Sequence, residues 1–129
     1  MKTKLTILAV VLGLALTMGV MQVNAGTQGE KGIVVGDAVE LSTLGMKGLS
    51  EDTVDEMKNR AGQGFPVGII EEETGTLWIA VYRNNAPASG LQPGNDKLSD
   101  YLGTKVVVQG LKYKNGGVNV IRFSNVSEY

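Results

Sequence analysis

Thirteen acidic side chains and no histidine or cysteine bound the chemistry open to this chain. The usual general base, transition-metal ligand and thiol nucleophile are missing, so any catalysis would fall to carboxylates, lysines, tyrosines and hydroxyls. Most of the carboxylates form three groups: Asp37 with Glu40, Glu51-Asp52 with Asp55-Glu56, and Glu71-Glu72-Glu73. An acid-base pair must share a face, but Asp37 and Glu40 differ in parity along one strand-like run. A core-interrupting Asp37 is better used in hydrogen bonding a bulged backbone. The second group lacks the loop pattern of a dedicated calcium site and reads as a solvated helix face. The three consecutive glutamates alternate faces if extended, so they do not converge on one ion. We therefore expect no catalytic residue, no metal site and no cofactor.

The N-terminus supplies an address. Lys2 and Lys4 precede an apolar run from Leu5 to Val20, and Val23-Asn24-Ala25 stands before Gly26. This is the pattern of a secretory signal peptide, residues 1–25, cleaved after Ala25, which predicts a periplasmic or secreted protein. The competing reading is retention as an N-terminal anchor, since the run approaches the length of a spanning helix. Gly13, Thr17 and Gly19 weaken that run. Without a thiol, neither a lipid anchor at the junction nor a disulfide can form. Cleavage would leave about 104 residues, enough for one apolar core. Loss of the two lysines leaves ten basic against thirteen acidic side chains, with the basic residues dispersed, so nucleic acid is not an expected partner.

The elements that must carry these residues are mostly strands. After a flexible leader at 26–30, the alternation Ile33, Val35, Val39, Leu41 predicts a half-buried strand with those residues inward. Gly32 and Gly36 predict a bend within it. Ser50 as N-cap, acids in the first turn and Gly62 as the left-handed stop predict an amphipathic helix burying Val54, Met57 and Ala61. Pro66–Ile70 and Leu77–Tyr82 form a hairpin around the glutamates and Gly75, whose charges also blunt that end of the sheet. In the second strand Leu77, Ile79 and Val81 are expected inside, leaving Trp78, Ala80 and Tyr82 on the other face. That face is either covered by the helix or exposed as an aromatic platform. Arg83–Asn95 is a long loop, and Asn95 or Asp96 starts a short helix, Lys97–Leu102, ended by Gly103. Lys105–Tyr113 and Val118–Phe123 form a second hairpin through Asn115-Gly116, with a bulge expected between Val120 and Ile121. The fold class is thus mainly β: a five-stranded OB-like barrel over 31–129, with an amphipathic helix after strand 1 and a short helix between strands 3 and 4.

The segments Gly64-Phe65-Pro66-Val67-Gly68-Ile69-Ile70, Gly75-Thr76-Leu77-Trp78-Ile79 and Tyr101 to Gly110, with Tyr113 and Gly116-Gly117, resemble small exported OB-fold-like bacterial proteins of unassigned activity. The similarity covers about Lys31 to Val126 and rests on glycine and valine patterns that specify fold. Members of that group often carry Cys and His before the Gly-x-Pro-x-Gly segment, whereas Thr43 to Gly64 has neither. The metal, haem or redox role such relatives imply does not transfer to this chain. A looser similarity to periplasmic stress-associated OB-fold proteins likewise implies binding.

The leading expectation is a non-enzymatic periplasmic binding module of unassigned ligand. Its candidate residues are Trp78 and Tyr82 as stacking groups, Phe65 at the mouth, and Arg83, Asn84 and Asn85 as polar contacts. The alternative is an accessory subunit docking on a larger envelope complex through the 83–95 loop or a sheet edge. A hydrolase-type enzyme is the third reading. The partner is an unknown periplasmic ligand or protein, with no membrane anchor after cleavage.

Overall fold

A computed structural model of the chain describes residues 29–88 and 98–129. The signal-peptide reading, most of the leader, and the 89–97 part of the long loop with the helix start at Asn95 or Asp96 lie outside the described residues.

Five strands close into a barrel: β1 (Glu30–Glu40), β2 (Val67–Glu71), β3 (Leu77–Val81), β4 (Lys105–Asn115) and β5 (Val118–Glu128), in the order β1-β2-β3-β5-β4. The β3–β5 pair is parallel and the other contacts are antiparallel. This is the five-stranded OB-type plan expected from the sequence. β1 serves two neighbours, pairing β4 from Glu30 to Asp37 and β2 from Gly36 to Glu40. Gly36 sits at the handover, where a Cβ would run into the carbonyl of Ile70. The bend predicted for the first strand is therefore set by close backbone approach.

From Ile33 to Ala38 the inward parity of β1 is the opposite of the expected one, although Val39, also expected inward, is fully buried. Val34 and Ala38 are fully buried, whereas Ile33 is 51% exposed. Apolar residues occupy both parities from Ile33 to Val39, so alternation alone does not fix the phase; the glycine that must face β2 does. Asp37 consequently points outward, opposite Lys105, rather than interrupting the core.

Two helices lie between β1 and β2: α1 (Leu41–Lys47) and α2 (Glu51–Gly62). The sequence reading extended the first strand through Leu41 and missed α1, because its start signal is a glutamate. The Glu40 carboxylate is fully buried and accepts from the Ser42 and Thr43 amides at 2.6 and 3.1 Å and from both hydroxyls at 2.5 Å. Burial by itself pushes this carboxyl up; the hydroxyl and amide donors together outweigh it and hold it below its ordinary range. α2 forms as predicted, with Ser50 donating its N–H to Thr53 Oγ1 at 3.0 Å and Met57 and Ala61 fully buried. It runs through Gly62, and the left-handed residue that follows is Gly64. A 3-10 turn at Leu98–Tyr101 packs beside α2, and Leu98, Leu102, Met57 and Ala61 join the barrel core. The plug predicted between strands 3 and 4 is thus one half of a two-part cap.

In the β4–β5 hairpin the turn residues are Gly116 and Gly117, both at positive φ, one step beyond the expected Asn115-Gly116 pair. The register irregularity falls between Gln109 and Gly110 on β4, not between Val120 and Ile121. Gly110 allows it, because a Cβ there would meet the β5 backbone at Arg122 and Phe123.

Candidate functional site

The structure disperses the expected aromatic platform. Trp78 is 1% exposed and points into the barrel with Ala80, while Leu77, Ile79 and Val81 lie on the less buried face. The assignment of faces in β3 was therefore inverted, for the same reason as in β1: every residue from Leu77 to Tyr82 is apolar or aromatic. Neither alternative for Trp78 holds, since its face is the barrel interior itself. Its indole N–H donates to Glu71 Oε1 at 3.1 Å, and Thr74 Oγ1 donates to the same oxygen at 2.8 Å. Lys112 and Lys114 stand over the ring, with Nζ at 4.9 and 5.6 Å from its centroid. Hydrogen bonding by Trp78 holds the Glu71 carboxyl low against the opposing effect of burial, with Thr74 and the two lysines assisting. The cluster sits at one end of the barrel, with Trp78 buried, Glu71 and Lys112 partly buried and Thr74 and Lys114 exposed.

Two outcomes follow for Trp78 fluorescence. Emission is expected to be blue-shifted and resistant to acrylamide quenching. Because the folded Glu71 pKa is depressed, its bond to the indole persists through the ordinary carboxylate range and is lost only as pH falls below that range. A titration should show the emission change in that acidic window, and Glu71→Gln should remove the pH response. An exposed-type spectrum at neutral pH would contradict this arrangement.

The other candidates separate. Tyr82 is half-buried, its ring 5.0 Å from that of Phe123. Phe65 lies at the α2 end of β2, away from Glu71, with the Arg60 guanidinium 5.5 Å from its ring centroid. Asn84 and Asn85 are exposed in the turn after β3, where Asn84 Oδ1 accepts from the Ala86 amide at 3.1 Å and Asn85 takes a positive φ. Arg83 lines a sizeable cavity with residues of other strands.

That cavity is an open groove of about 720 Å³ lined by Lys31, Gly32, Ile33, Arg83, Gln109, Gly110, Leu111, Arg122 and Ser124. The register explains its form. Lys31, Leu111 and Arg122 are cross-strand partners and make one wall. Ile33 and Gln109 are partners in the next outward-facing row, with Ser124 beside them at the bulge and Arg83 beyond, following Val81, which pairs with Arg122. Between the rows lie the partners Gly32 and Gly110. A Cβ on either would be directed inward, at the Lys112 side chain or the β5 backbone, so the floor is bare main chain. The groove thus crosses the strands instead of following them.

Its electrostatics are one-sided. Among the described residues three cations and no carboxylate line it, although the chain as a whole carries a formal net charge of −1. The ion pairs among the described residues lie elsewhere, at Lys47–Glu56–Arg60 and Lys105–Glu72. Arg122 also stands 5.8 Å from the Tyr113 ring centroid, which orients its guanidinium across the sheet surface. Sequence reasoning found Arg83 from loop composition but missed the other lining residues, because Lys31, Leu111 and Arg122 become neighbours only through strand register. The glycines at 32 and 110 were the available signal.

No family model matches the chain, and neither a curated protein nor a solved structure matches it. The site's own geometry therefore carries the functional argument.

Proposed function

We propose that this protein is an exported, non-enzymatic binding module whose ligand sits in the groove across β1, β4 and β5. The observation that carries this reading is the gathering of Lys31, Arg83 and Arg122 around Ile33, Leu111 and a main-chain floor, with no acidic residue among the described residues of the lining. Partly exposed aliphatic groups between cations favour a ligand that is both anionic and apolar, and a concave surface several strands wide suits an extended one. The non-enzymatic part is supported by three carboxylates with structural partners: Glu40 caps α1, Glu56 pairs with Lys47 and Arg60, and Glu71 holds Trp78. The signal-peptide pattern supplies the exported location.

Fluorescence anisotropy of the dye-labelled protein in cell-envelope extract tests this reading. Anisotropy should rise on adding extract, and the double substitution Arg83→Glu and Arg122→Glu should abolish the rise while Trp78 emission stays unchanged. A rise of equal size in the double variant would refute the groove as the binding site.

A further inference from the structure

We infer that the occupant of the groove is an extended acidic peptide segment of a partner protein, with carboxylates spaced to meet Lys31 at one end and Arg122 and Arg83 at the other. This deepens the preceding proposal and rests on its choice of site. Lys31 on β1 and Arg122 on β5 share one row with Leu111 of β4 between them. Two strand spacings separate their backbones by about 10 Å. A peptide in the polyproline II conformation advances about 3.1 Å per residue with three residues per turn, so acids three residues apart lie on one face and reach both ends. The aliphatic side chains between those acids would lie on Leu111 and Ile33, the latter 51% exposed. The Gln109 amide and the Ser124 hydroxyl, at the bulge, are suited to the peptide's own backbone groups.

The same features argue against other anionic ligands. Single-stranded nucleic acid and many glycans are held by aromatic stacking, and among the described residues no aromatic ring lines this groove, the Tyr113 ring lying beside Arg122 and outside the lining. An anionic bilayer is a flat surface and would not enter a trough floored by glycine main chain. A peptide one chain wide suits the alternation of cationic and aliphatic groups along the groove.

A short fluorescein-labelled peptide of repeating Glu-Ala-Leu is the probe, with a Lys-Ala-Leu peptide, oligogalacturonate and phosphatidylglycerol vesicles as competing ligands. The acidic peptide should bind and weaken as salt is raised. Arg122→Glu should weaken it by roughly tenfold, and Lys31→Glu with Arg122→Glu should transfer preference to the Lys-Ala-Leu peptide. That reversal is beyond a merely structural role for the two residues. If oligogalacturonate or vesicles bind in an Arg122-dependent way and the acidic peptide does not, the peptide assignment is wrong and the groove stands. If neither substitution alters binding of any probe, both fail.

Discussion

Gly110→Ala is expected to cost the fold about 3 kcal/mol, the upper end of the range for forced backbone shifts in a packed core. The reason is local and geometric. A Cβ at position 110 would stand 2.6 Å from the Phe123 Cα and 2.9 Å from the Arg122 carbonyl carbon. These are backbone atoms of the β4–β5 ladder, which has no rotamer with which to yield. The ladder is also where the register shifts, so displacing β5 would disturb barrel closure and the groove wall together. Denaturant unfolding of the variant checks the size of the effect. Two companion substitutions calibrate it. Gly32→Ala meets chiefly the flexible Lys112 side chain and should cost much less. Gly45→Ala, inside α1 with open space around it, should be neutral or stabilising by up to about 1 kcal/mol. Equal losses at all three positions would contradict the account of barrel closure.

Glu40→Ala is the second large effect, at about 3 kcal/mol. The substitution removes an N-cap, worth about 1 kcal/mol, and leaves buried Thr43 donors without their acceptor at about 1 to 3 kcal/mol. Glu40→Gln keeps the shape but turns an amide NH2 toward donors, so it should recover only part of the loss. The pH dependence has a definite sign. Because the folded pKa of Glu40 is depressed, its contribution is complete above the ordinary carboxylate value and is lost as pH falls through the depressed one. The stability gap between wild type and Glu40→Gln should therefore be constant near neutrality and close on acidification. A gap that widened toward acid would mean a carboxyl held high by burial. Thermal unfolding across pH measures it.

These two residues mark where sequence reasoning succeeded and stopped. The glycines announced the bends, the Ser50 cap announced α2, and the Asn115-Gly116 pair announced the last hairpin, one step before its turn. Those are local signals, each satisfied within a few residues. The barrel order followed from counting such elements. Facing was different. Where both parities are apolar, as in Ile33–Val39 and Leu77–Tyr82, the inward side is decided by which strand must approach a glycine, a fact of register. That one ambiguity inverted β1 and β3 and turned a buried, hydrogen-bonded Trp78 into an expected platform. Glu40 was hidden differently, because a glutamate N-cap is uncommon and its partners at 42 and 43 read as ordinary polar residues. The groove was the least legible feature, since its walls are drawn from four strand neighbourhoods far apart in sequence. Only Arg83 could be singled out in advance.

The central claim is that recognition takes place on the outer face of β1, β4 and β5 and not at the Trp78 end of the barrel. Amide chemical-shift mapping of the isotope-labelled protein titrated with cell-envelope extract tests it most directly. The account predicts shifts at Lys31–Ile33, Arg83, Gln109–Leu111 and Arg122–Ser124, all lost when Arg83 and Arg122 are both replaced by glutamate. Shifts confined to the residues around Trp78 and Glu71, or to α1 and α2, would contradict it.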